Sequence, residues 1–172
     1  MIYFPKDLEK DIDISFVGGY WPFKGKQMMP YIEALKKEFG DRFKIFGTGW
    51  QIPNEGYISD DEVVNVFNRS KINICLHEPT LVLDKPVHVS ERVFKVYSTN
   101  NFAISDNNRC LNEYFGGNVP IGYNPDHMVY LCNEFLKNDN GRNFITDTVN
   151  KIVKTRHTYK HRCTQVLDKI YE

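Results

Sequence analysis

Short β-rich runs alternate with longer helical runs along this chain, and that alternation is the strongest constraint on its fold. Five runs are typical of strands: residues 12–17, 42–47, 71–77, 102–106 and 118–123. Helical segments separate or follow them: residues 26–39, a segment starting at 60, then 90–101, 125–137, 143–155 and 157–171. Pro30 is expected in the first turn or two of the first helix, since proline is tolerated only near a helix start. This order predicts an α/β fold, a Rossmann-like doubly wound parallel sheet with helices on both faces and a helical C-terminal third.

The predicted sheet also indicates where a ligand would bind. In doubly wound sheets, ligands bind outside the carboxyl ends of the strands, at a point where the strand order reverses. The turns of interest are therefore those that follow Val17, Gly47, His77, Ser105 and Gly122.

Length and composition narrow the function classes. The 172 residues suit a single domain, 1–172, and the 22 basic and 22 acidic side chains give zero formal net charge. A general nucleic-acid binder needs a basic excess, so we do not expect a nucleic-acid partner. No apolar run approaches membrane-spanning length, and the four cysteines are too widely spaced to favour a disulfide framework or a zinc site. These features predict a cytoplasmic protein with reduced, mostly buried thiols.

A glycine turn follows the first predicted strand, in the stretch DISFVGGYWPFKGK at residues 13–26. Gly18 and Gly19 would let backbone amides approach a phosphate, and the next helix would add positive potential at its N-terminus. Lys24 and Lys26 would add formal charge. The pattern is neither GxGxxG nor a P-loop, so a plain strand-to-helix turn with solvated lysines is the alternative.

A second glycine turn, GTGW, follows the strand at 42–47 and contains Gly47 and Gly49. Two such turns at the carboxyl edge of a sheet would form one wall of a binding crevice. Trp50 would either stack on a base of the ligand or pack within the protein, and packing is the commoner fate of tryptophan.

The helix predicted from residue 90 is amphipathic and has Ser90 as its N-cap. Glu91, Arg92 and Lys95 lie on one side of it, opposite its apolar residues. Its N-terminal amides and Arg92 suit an anionic ligand, because the planar guanidinium can bond two phosphate oxygens at once. The alternative is an ordinary amphipathic helix whose charged side is solvated.

Other chemistries find less support in the sequence. His157 and His161 stand four residues apart, a spacing that zinc sites use, but the glutamate of HExxH and a third ligand are missing. There is no GxSxG motif, and no cysteine lies beside a candidate base, so nucleophilic hydrolysis is unsupported. A receiver-like domain shares the doubly wound fold, but Asp13 and Asp106 near strand ends do not make its acidic cluster.

Five stretches together resemble the donor-binding C-terminal half of GT-B glycosyltransferases. The type they resemble most is the CgeB-like (spore-maturation) type, often described as glycosyl transferases group 1. The stretches are DISFVGGYWPFKGKQMMPYIEALKK, FKIFGTGW, SKINICLH, ERVFKVYSTNNFAISD and KTRHTYKHR, and the likeness runs from about residue 11 to 170.

The resemblance implies that this domain holds a nucleoside-diphosphate sugar and that a separate domain holds the acceptor. It places Gly18 and Gly19 near the donor, residues 88–92 near the sugar and diphosphate, and Arg92 at the arginine of the motif. It implies no metal, because enzymes of this kind neutralise the leaving group with basic side chains and helix dipoles. The expected donor-binding residues are Gly18, Gly19, Lys24, Lys26, Gly47, Gly49, Ser90, Glu91, Arg92 and Lys95.

Two departures from the family pattern leave the function open. The glutamate that typically bonds the ribose falls on Lys95, whose ammonium group offers only donors. Either Lys95 contacts phosphate, or Glu91 substitutes for the glutamate, or donor binding has decayed. Only one half of the two-domain enzyme is present, so the domain alone holds donor and acceptor together poorly.

The leading hypothesis is the donor-binding domain of a glycosyltransferase, with no catalytic residue assigned. The alternative is a noncatalytic nucleotide or nucleotide-sugar binding module or regulatory subunit.

Overall fold

The computed structural model describes residues 3–77, 89–106 and 110–171. Within these residues the chain forms five strands and seven α-helices, which alternate up to β5 and are followed by three consecutive helices. The elements are β1 (Ile12–Val17), α1 (Pro22–Phe39), β2 (Phe43–Phe46), α2 (Asp60–Arg69), β3 (Ser70–Cys75), α3 (Glu91–Ser98), β4 (Ala103–Asp106), α4 (Cys110–Phe115), β5 (Ile121–Gly122), α5 (Pro125–Leu136), α6 (Asp139–Arg156) and α7 (Tyr159–Tyr171). A 3₁₀ turn at Gly40–Arg42 joins α1 to β2.

The five strands form one parallel sheet in the order β2-β1-β3-β4-β5. β1 lies between β2 and β3, so that Ile14 is opposite Phe43 on one side and Ile72 on the other. The predicted doubly wound parallel sheet is confirmed.

Helices cover both faces of this sheet, as predicted. The apolar side chains of α1 and α5 pack with Ile14, Ile45 and Ile74 on one face. On the opposite face, α2, α3, α4 and α6 pack around Tyr97 and Cys75, both of which are fully buried. Burial of these two apolar layers is the main source of stability for the fold.

At the amino-terminal edge of the sheet, Asp13 joins two basic side chains. Its carboxylate accepts a hydrogen bond from Arg42 at 2.7 Å and another from Lys71 at 2.6 Å. Partial burial opposes ionisation, but these two bonds outweigh it and hold the pKa of Asp13 below its usual value. This charged cluster lies at the end of the sheet opposite to the expected ligand site.

The start of α1 and the position of Pro30 differ from the prediction. α1 begins at Pro22, four residues before the predicted start, so Pro30 is its ninth residue rather than a first-turn residue. Pro22 occupies the first helical position, where the missing amide and the fixed φ of proline favour helix initiation. The expectation that Pro30 lies in the first turns was therefore wrong, and the exposed proline sits inside the helix.

The C-terminal part also differs in detail. The run predicted as a strand at 118–123 forms a strand only at Ile121–Gly122, and the short helix Cys110–Phe115 was not predicted. α6 begins four residues earlier than predicted, because Asn138 caps it by accepting a hydrogen bond from Gly141 N at 2.8 Å.

The last helix, α7, lies on the surface and buries none of its side chains. Its apolar residues Val166, Leu167 and Ile170 are each at least half exposed.

All four cysteines are free thiols; Cys75 and Cys132 are buried and Cys163 is exposed. Among the helices the structure describes, none has the length and apolar character needed to cross a bilayer.

Candidate functional site

The carboxyl ends of the parallel strands lie along one edge of the sheet. The chain passes from β1 to β2 on one side and then crosses to β3 on the other side of β1, so the strand order reverses between β1 and β3. Ligands of doubly wound sheets bind at such a switch point. The residues that follow β1 and β3 are therefore the centre of the candidate site.

The two predicted glycine turns lie against each other at this edge. Gly18 N donates to Phe46 O and Tyr20 N donates to Thr48 O, both at 2.8 Å, so the pairing of β1 with β2 continues into the turns. Gly47 has a φ of 144°, and a Cβ there would overlap the main chain of Gly18. Glycine alone suits so close an approach. Because the amides of Gly18 and Tyr20 are bonded to carbonyl oxygens, these two amides do not cradle a phosphate in this arrangement.

Trp50 braces the same pair of turns. Its indole Nε1 donates to Gly18 O at 2.7 Å, and its ring packs edge-on against Phe16 and Tyr20. The side chain is 7% exposed. Of the two roles considered for Trp50, the structure shows packing. Gly49 completes the turn with a φ of 85°, where a Cβ would lie 2.6 Å from Tyr20 O.

Arg92 lies directly over the switch point. A Cβ added at Gly18 would lie 2.8 Å from its Nη2, so the guanidinium packs directly against Gly18 and a larger residue there would displace it. Its Nη1 donates to Leu76 O at 3.0 Å, and its Cζ stands 5.0 Å from the centre of the Phe16 ring. Arg92 therefore contacts the ends of both β1 and β3, and it brings a fixed positive charge to the place where the fold binds ligands.

The helix that carries Arg92 begins at this same edge. Ser90 is the N-cap of α3, and its Oγ accepts a hydrogen bond from Arg92 N at 3.4 Å. The N-cap was predicted from the sequence, and the structure confirms it. The positive end of the α3 dipole and the guanidinium of Arg92 thus act on the same region.

A cavity of about 450 Å³ lies between α3, α2 and the end of β1, and we call it the α3 cavity. Its lining residues come from five parts of the chain: Tyr3, Val17, Asp60, Val63, Phe67, Leu76, Ser90, Glu91, Arg92 and Lys95. Four of the ten residues predicted to bind the donor therefore line one cavity.

Within the α3 cavity, the two remaining charged residues of α3 are paired with each other. Lys95 Nζ lies 2.7 Å from Glu91 Oε2 and 5.0 Å from the centre of the Tyr3 ring. The hydrogen bond from Lys95 lowers the pKa of the Glu91 carboxyl, so Glu91 is ionised at neutral pH. Tyr159, the first residue of α7, donates to the other Glu91 oxygen at 3.4 Å.

The remaining predicted residues are separated from this cavity or lie outside the description. Lys26 is exposed on α1 and is not among the residues that line the α3 cavity. The side chain of Lys24 and the whole of His88 lie outside the described residues. Gly19, like Gly18, belongs to the first turn, and a Cβ there would lie 3.3 Å from Thr48 O.

Sequence reasoning missed a buried histidine–aspartate pair at the same edge. His77 follows β3 and Asp106 ends β4, and their side chains are 5% and 6% exposed. His77 Nδ1 lies 2.5 Å from Asp106 Oδ1, and the backbone N of His77 donates to both carboxylate oxygens at 3.1 and 3.0 Å. The sequence did show a polar residue at the end of each of these two apolar strands. It did not show that the two side chains contact each other.

His157 and His161 contact other groups. His157 Nε2 lies 3.1 Å from Tyr114 O, and His161 Nδ1 lies 2.6 Å from Thr158 Oγ1. Across the ranges that the structure covers, no three histidine, cysteine, aspartate or glutamate side chains are grouped so as to hold a metal ion.

Three solved structures share this fold, and two of them are described as a glycosyltransferase or a domain of one. The chain superposes on TarM with a TM-score of 0.70 at 10% identity, covering 98% of this chain and 37% of TarM. For a glycosyltransferase from Rickettsia africae the TM-score is 0.67 at 16% identity, covering 94% of this chain and 48% of that one. For the C-terminal domain of the group 1 glycosyl transferase LpcC from Francisella tularensis, the TM-score is 0.59 at 10% identity, covering 92% of this chain and 97% of that domain.

At these identities the superpositions show the fold alone, which is one half of a GT-B fold. The chain spans half the length or less of the first three matched structures. A search of curated protein sequences finds no match. The sequence profile of a family described as "Glycosyl transferase-like" matches residues 8–168. Since that match extends over nearly the whole chain, the protein belongs to the glycosyl transferase-like family.

Proposed function

We propose that this chain is the donor-binding half of a glycosyltransferase that transfers a sugar from a nucleoside-diphosphate sugar to an acceptor. In this proposal the diphosphate binds at the switch point between β1 and β3, and the nucleotide or the sugar extends into the α3 cavity. The family membership supports the class of reaction, while the donor, the acceptor and the site residues are part of the proposal.

The observation that carries the proposal is the position of Arg92. Its guanidinium lies over Gly18 and is held by the Leu76 carbonyl and the Phe16 ring, so it is oriented before any ligand arrives. A diphosphate leaving group develops negative charge, and a preoriented cation beside a helix N-terminus stabilises such charge without reorganisation. Arg92 and the N-terminus of α3 would therefore do the work that a divalent ion does elsewhere, and we expect binding to be insensitive to EDTA.

A second domain is also part of the proposal. The chain covers nearly all of LpcC's C-terminal domain but only 37% of TarM, which supports a role as one half of a longer enzyme or of a two-chain enzyme. Trp21, which follows the first glycine turn and is 65% exposed, would contact that second domain. Its neighbour Tyr20 packs on Trp50.

The test is binding of UDP, GDP, ADP and dTDP, and of their sugars, measured by calorimetry and thermal shift. At least one of them should bind, and Arg92→Ala should weaken that binding by about 10- to 100-fold, the cost of losing a charge-assisted hydrogen bond. Arg92→Lys should fall between, since lysine keeps the charge without the planar fork. Arg42→Ala is the matched control, because it removes the same charge at the opposite edge of the sheet.

Absence of binding by every nucleotide at millimolar concentration would refute the proposal. Equal affinities of the wild type and Arg92→Ala would refute the role of Arg92 while leaving the nucleotide site in place.

One observation favours a second candidate, a nucleotide-sugar binding module without turnover. The residue at the position of the family's ribose-binding glutamate is Lys95, and its ammonium is engaged by Glu91 at 2.7 Å. An ammonium cannot accept a hydrogen bond from a ribose hydroxyl. Nucleotide-sugar binding with neither sugar hydrolysis nor transfer, even after candidate acceptor-domain proteins are added, would support the module over the enzyme.

A further inference from the structure

The His77 ring lies at the centre of the carboxyl edge and is almost entirely enclosed. It follows β3, the middle strand of the sheet, and the residue itself is 4% exposed. The preceding residue, Leu76, provides the carbonyl that anchors Arg92. His77 is thus one residue away from the group that orients the cation at the switch point.

Asp106 fixes the orientation of this ring and the position of its proton. One oxygen of the carboxylate lies 2.5 Å from His77 Nδ1, and both oxygens accept from the backbone N of His77. A carboxylate at Nδ1 requires the proton on that nitrogen in the neutral imidazole. The other ring nitrogen, Nε2, then has a lone pair and is a hydrogen-bond acceptor.

Nε2 has no hydrogen-bond partner among the described residues, although it is buried. Buried polar atoms are nearly always hydrogen-bonded, and one that is not points to an absent ligand or water. Because the two ring nitrogens lie on opposite sides of the imidazole, Nε2 is directed away from Asp106. The ring therefore offers an unused acceptor at the edge of the sheet where ligands bind.

The charged groups around the switch point make such an acceptor chemically significant. Of the charged residues that line the α3 cavity, Arg92 and Lys95 are donors only, and the two Glu91 oxygens already face Lys95 and Tyr159. Asp60 adds one more carboxylate, from the first residue of α2. A nucleotide-sugar carries many hydroxyl groups, and each one needs an acceptor for its proton when it is removed from water.

We propose that His77 Nε2 accepts a hydrogen bond from a hydroxyl group of the bound nucleotide-sugar, and that Asp106 is the positioning residue that keeps Nε2 in the acceptor form. This inference rests on the proposed nucleotide-sugar site and adds a ligand contact that the sequence did not predict. The hydroxyl belongs either to the transferred sugar or to the ribose, and the experiment separates these two sources.

The first measurement compares two isosteric substitutions. Asparagine at position 77 can keep the bond to Asp106 but has nothing at the position of Nε2, whereas glutamine reaches that position with an amide that can accept. With the UDP-, GDP-, ADP- and dTDP-sugars as probes, His77→Asn should bind about tenfold more weakly than the wild type, the net effect of one hydrogen bond. His77→Gln should recover part of the affinity, and circular dichroism establishes that both variants are folded.

The source of the hydroxyl follows from the same variants. If His77→Asn weakens binding of the nucleotide-sugar but not of the corresponding nucleoside diphosphate, the hydroxyl is on the transferred sugar. If both ligands lose affinity equally, it is on the ribose. Either result supports the proposal.

The second measurement uses the wild-type chain, so it does not depend on a variant folding. In protein labelled with ¹⁵N-histidine, long-range proton–nitrogen spectra should show the Nδ1–H tautomer for His77, and the nucleotide-sugar should shift the Nε2 resonance. Asp106→Asn should move the proton to Nε2, because the asparagine amide donates to Nδ1. If Asp106 held only the backbone N of His77, its replacement would leave the tautomer unchanged.

The outcomes distinguish failure of this inference from failure of the proposed function. If the wild type binds a nucleotide-sugar while folded His77→Asn binds it equally well and the Nε2 resonance does not shift, the contact is refuted and the donor site stands. If the wild type binds none of the probes, both are refuted.

Discussion

Replacing Gly47 by alanine should destabilise the protein far more than the same change at Gly56, although both glycines have positive φ. Gly47 has a φ of 144° and Gly56 a φ of 77°. At Gly56 no atom lies within 4 Å of the added Cβ, whereas at Gly47 the Cβ lies 2.6 Å from the Gly18 carbonyl carbon and 2.9 Å from Gly19 N. Those two atoms are main chain, so no side chain can rotate away to relieve the contact.

The magnitude follows from these two environments. Placing alanine at positive φ costs about 1–2 kcal/mol at Gly56 and at least as much at Gly47, whose φ of 144° lies outside the left-handed helical region. The reduced entropy of the unfolded chain on replacing glycine is common to both. Main-chain overlap adds about 1–3 kcal/mol at Gly47 alone, comparable to overpacking in a core. The two free energies of unfolding should therefore differ by about 1–3 kcal/mol.

Urea denaturation followed by circular dichroism measures this difference. With a slope of about 2 kcal/mol per molar urea, the midpoint of Gly47→Ala should lie about 0.5–1.5 M below that of Gly56→Ala. Coincident midpoints would show that the two glycine turns are not held against each other as described. In that case the placement of Arg92 over Gly18 would also lose its structural basis.

Three further predictions concern thiol reactivity, a buried hydroxyl and acid stability. Brief alkylation of the native protein should modify Cys163 and spare Cys75, because burial raises the pKa of Cys75 to about 12. A mass-spectrometric time course measures this order of labelling, and early labelling of Cys75 would contradict its burial. Tyr97→Phe removes the hydrogen bond from the buried hydroxyl to a β4 carbonyl and should lower the unfolding free energy by about 1 kcal/mol, with no change expected if that bond is absent in solution. Asp13 has a pKa below its usual value, so its stabilisation is present above about pH 4 and is lost as the pH falls through the lowered pKa. Asp13→Asn should therefore be less stable than the wild type at pH 7, and the gap should narrow in acid when both are unfolded thermally at each pH.

The fold was largely predictable because its signals are local. The strand β1 has the predicted bounds, and Ser90 caps α3 as expected, since apolar periodicity and capping chemistry depend on residues only a few positions apart. The start of α1 was wrong because Pro30 was weighed as a helix-start signal, whereas Pro22 occupies that position. The length of β5 was overestimated, because a run that mixes turn residues with apolar residues does not show how many of them hydrogen-bond to the neighbouring strand.

The candidate site was predictable only in part, for a different reason. The sequence indicated that the first glycine turn and the Ser90 helix belong to one site, and the structure places Gly18 against Arg92. Their role in donor binding stays a prediction. The meeting of His77 with Asp106 depends on the pairing of β3 with β4, two strands separated by a whole helix, and no local pattern reports it.

The shared hydrogen bonds of the two glycine turns also restrict how this chain can change in length. Most surface turns of α/β proteins accept inserted residues, because the loop they close is independent of its neighbours. Here Gly18 N donates to Phe46 O and Tyr20 N donates to Thr48 O. One residue inserted into either turn would shift the hydrogen-bond register, so that each donor after the insertion no longer lies opposite its acceptor. Length variation in this protein should therefore be found in other connections, while these two turns keep their length together.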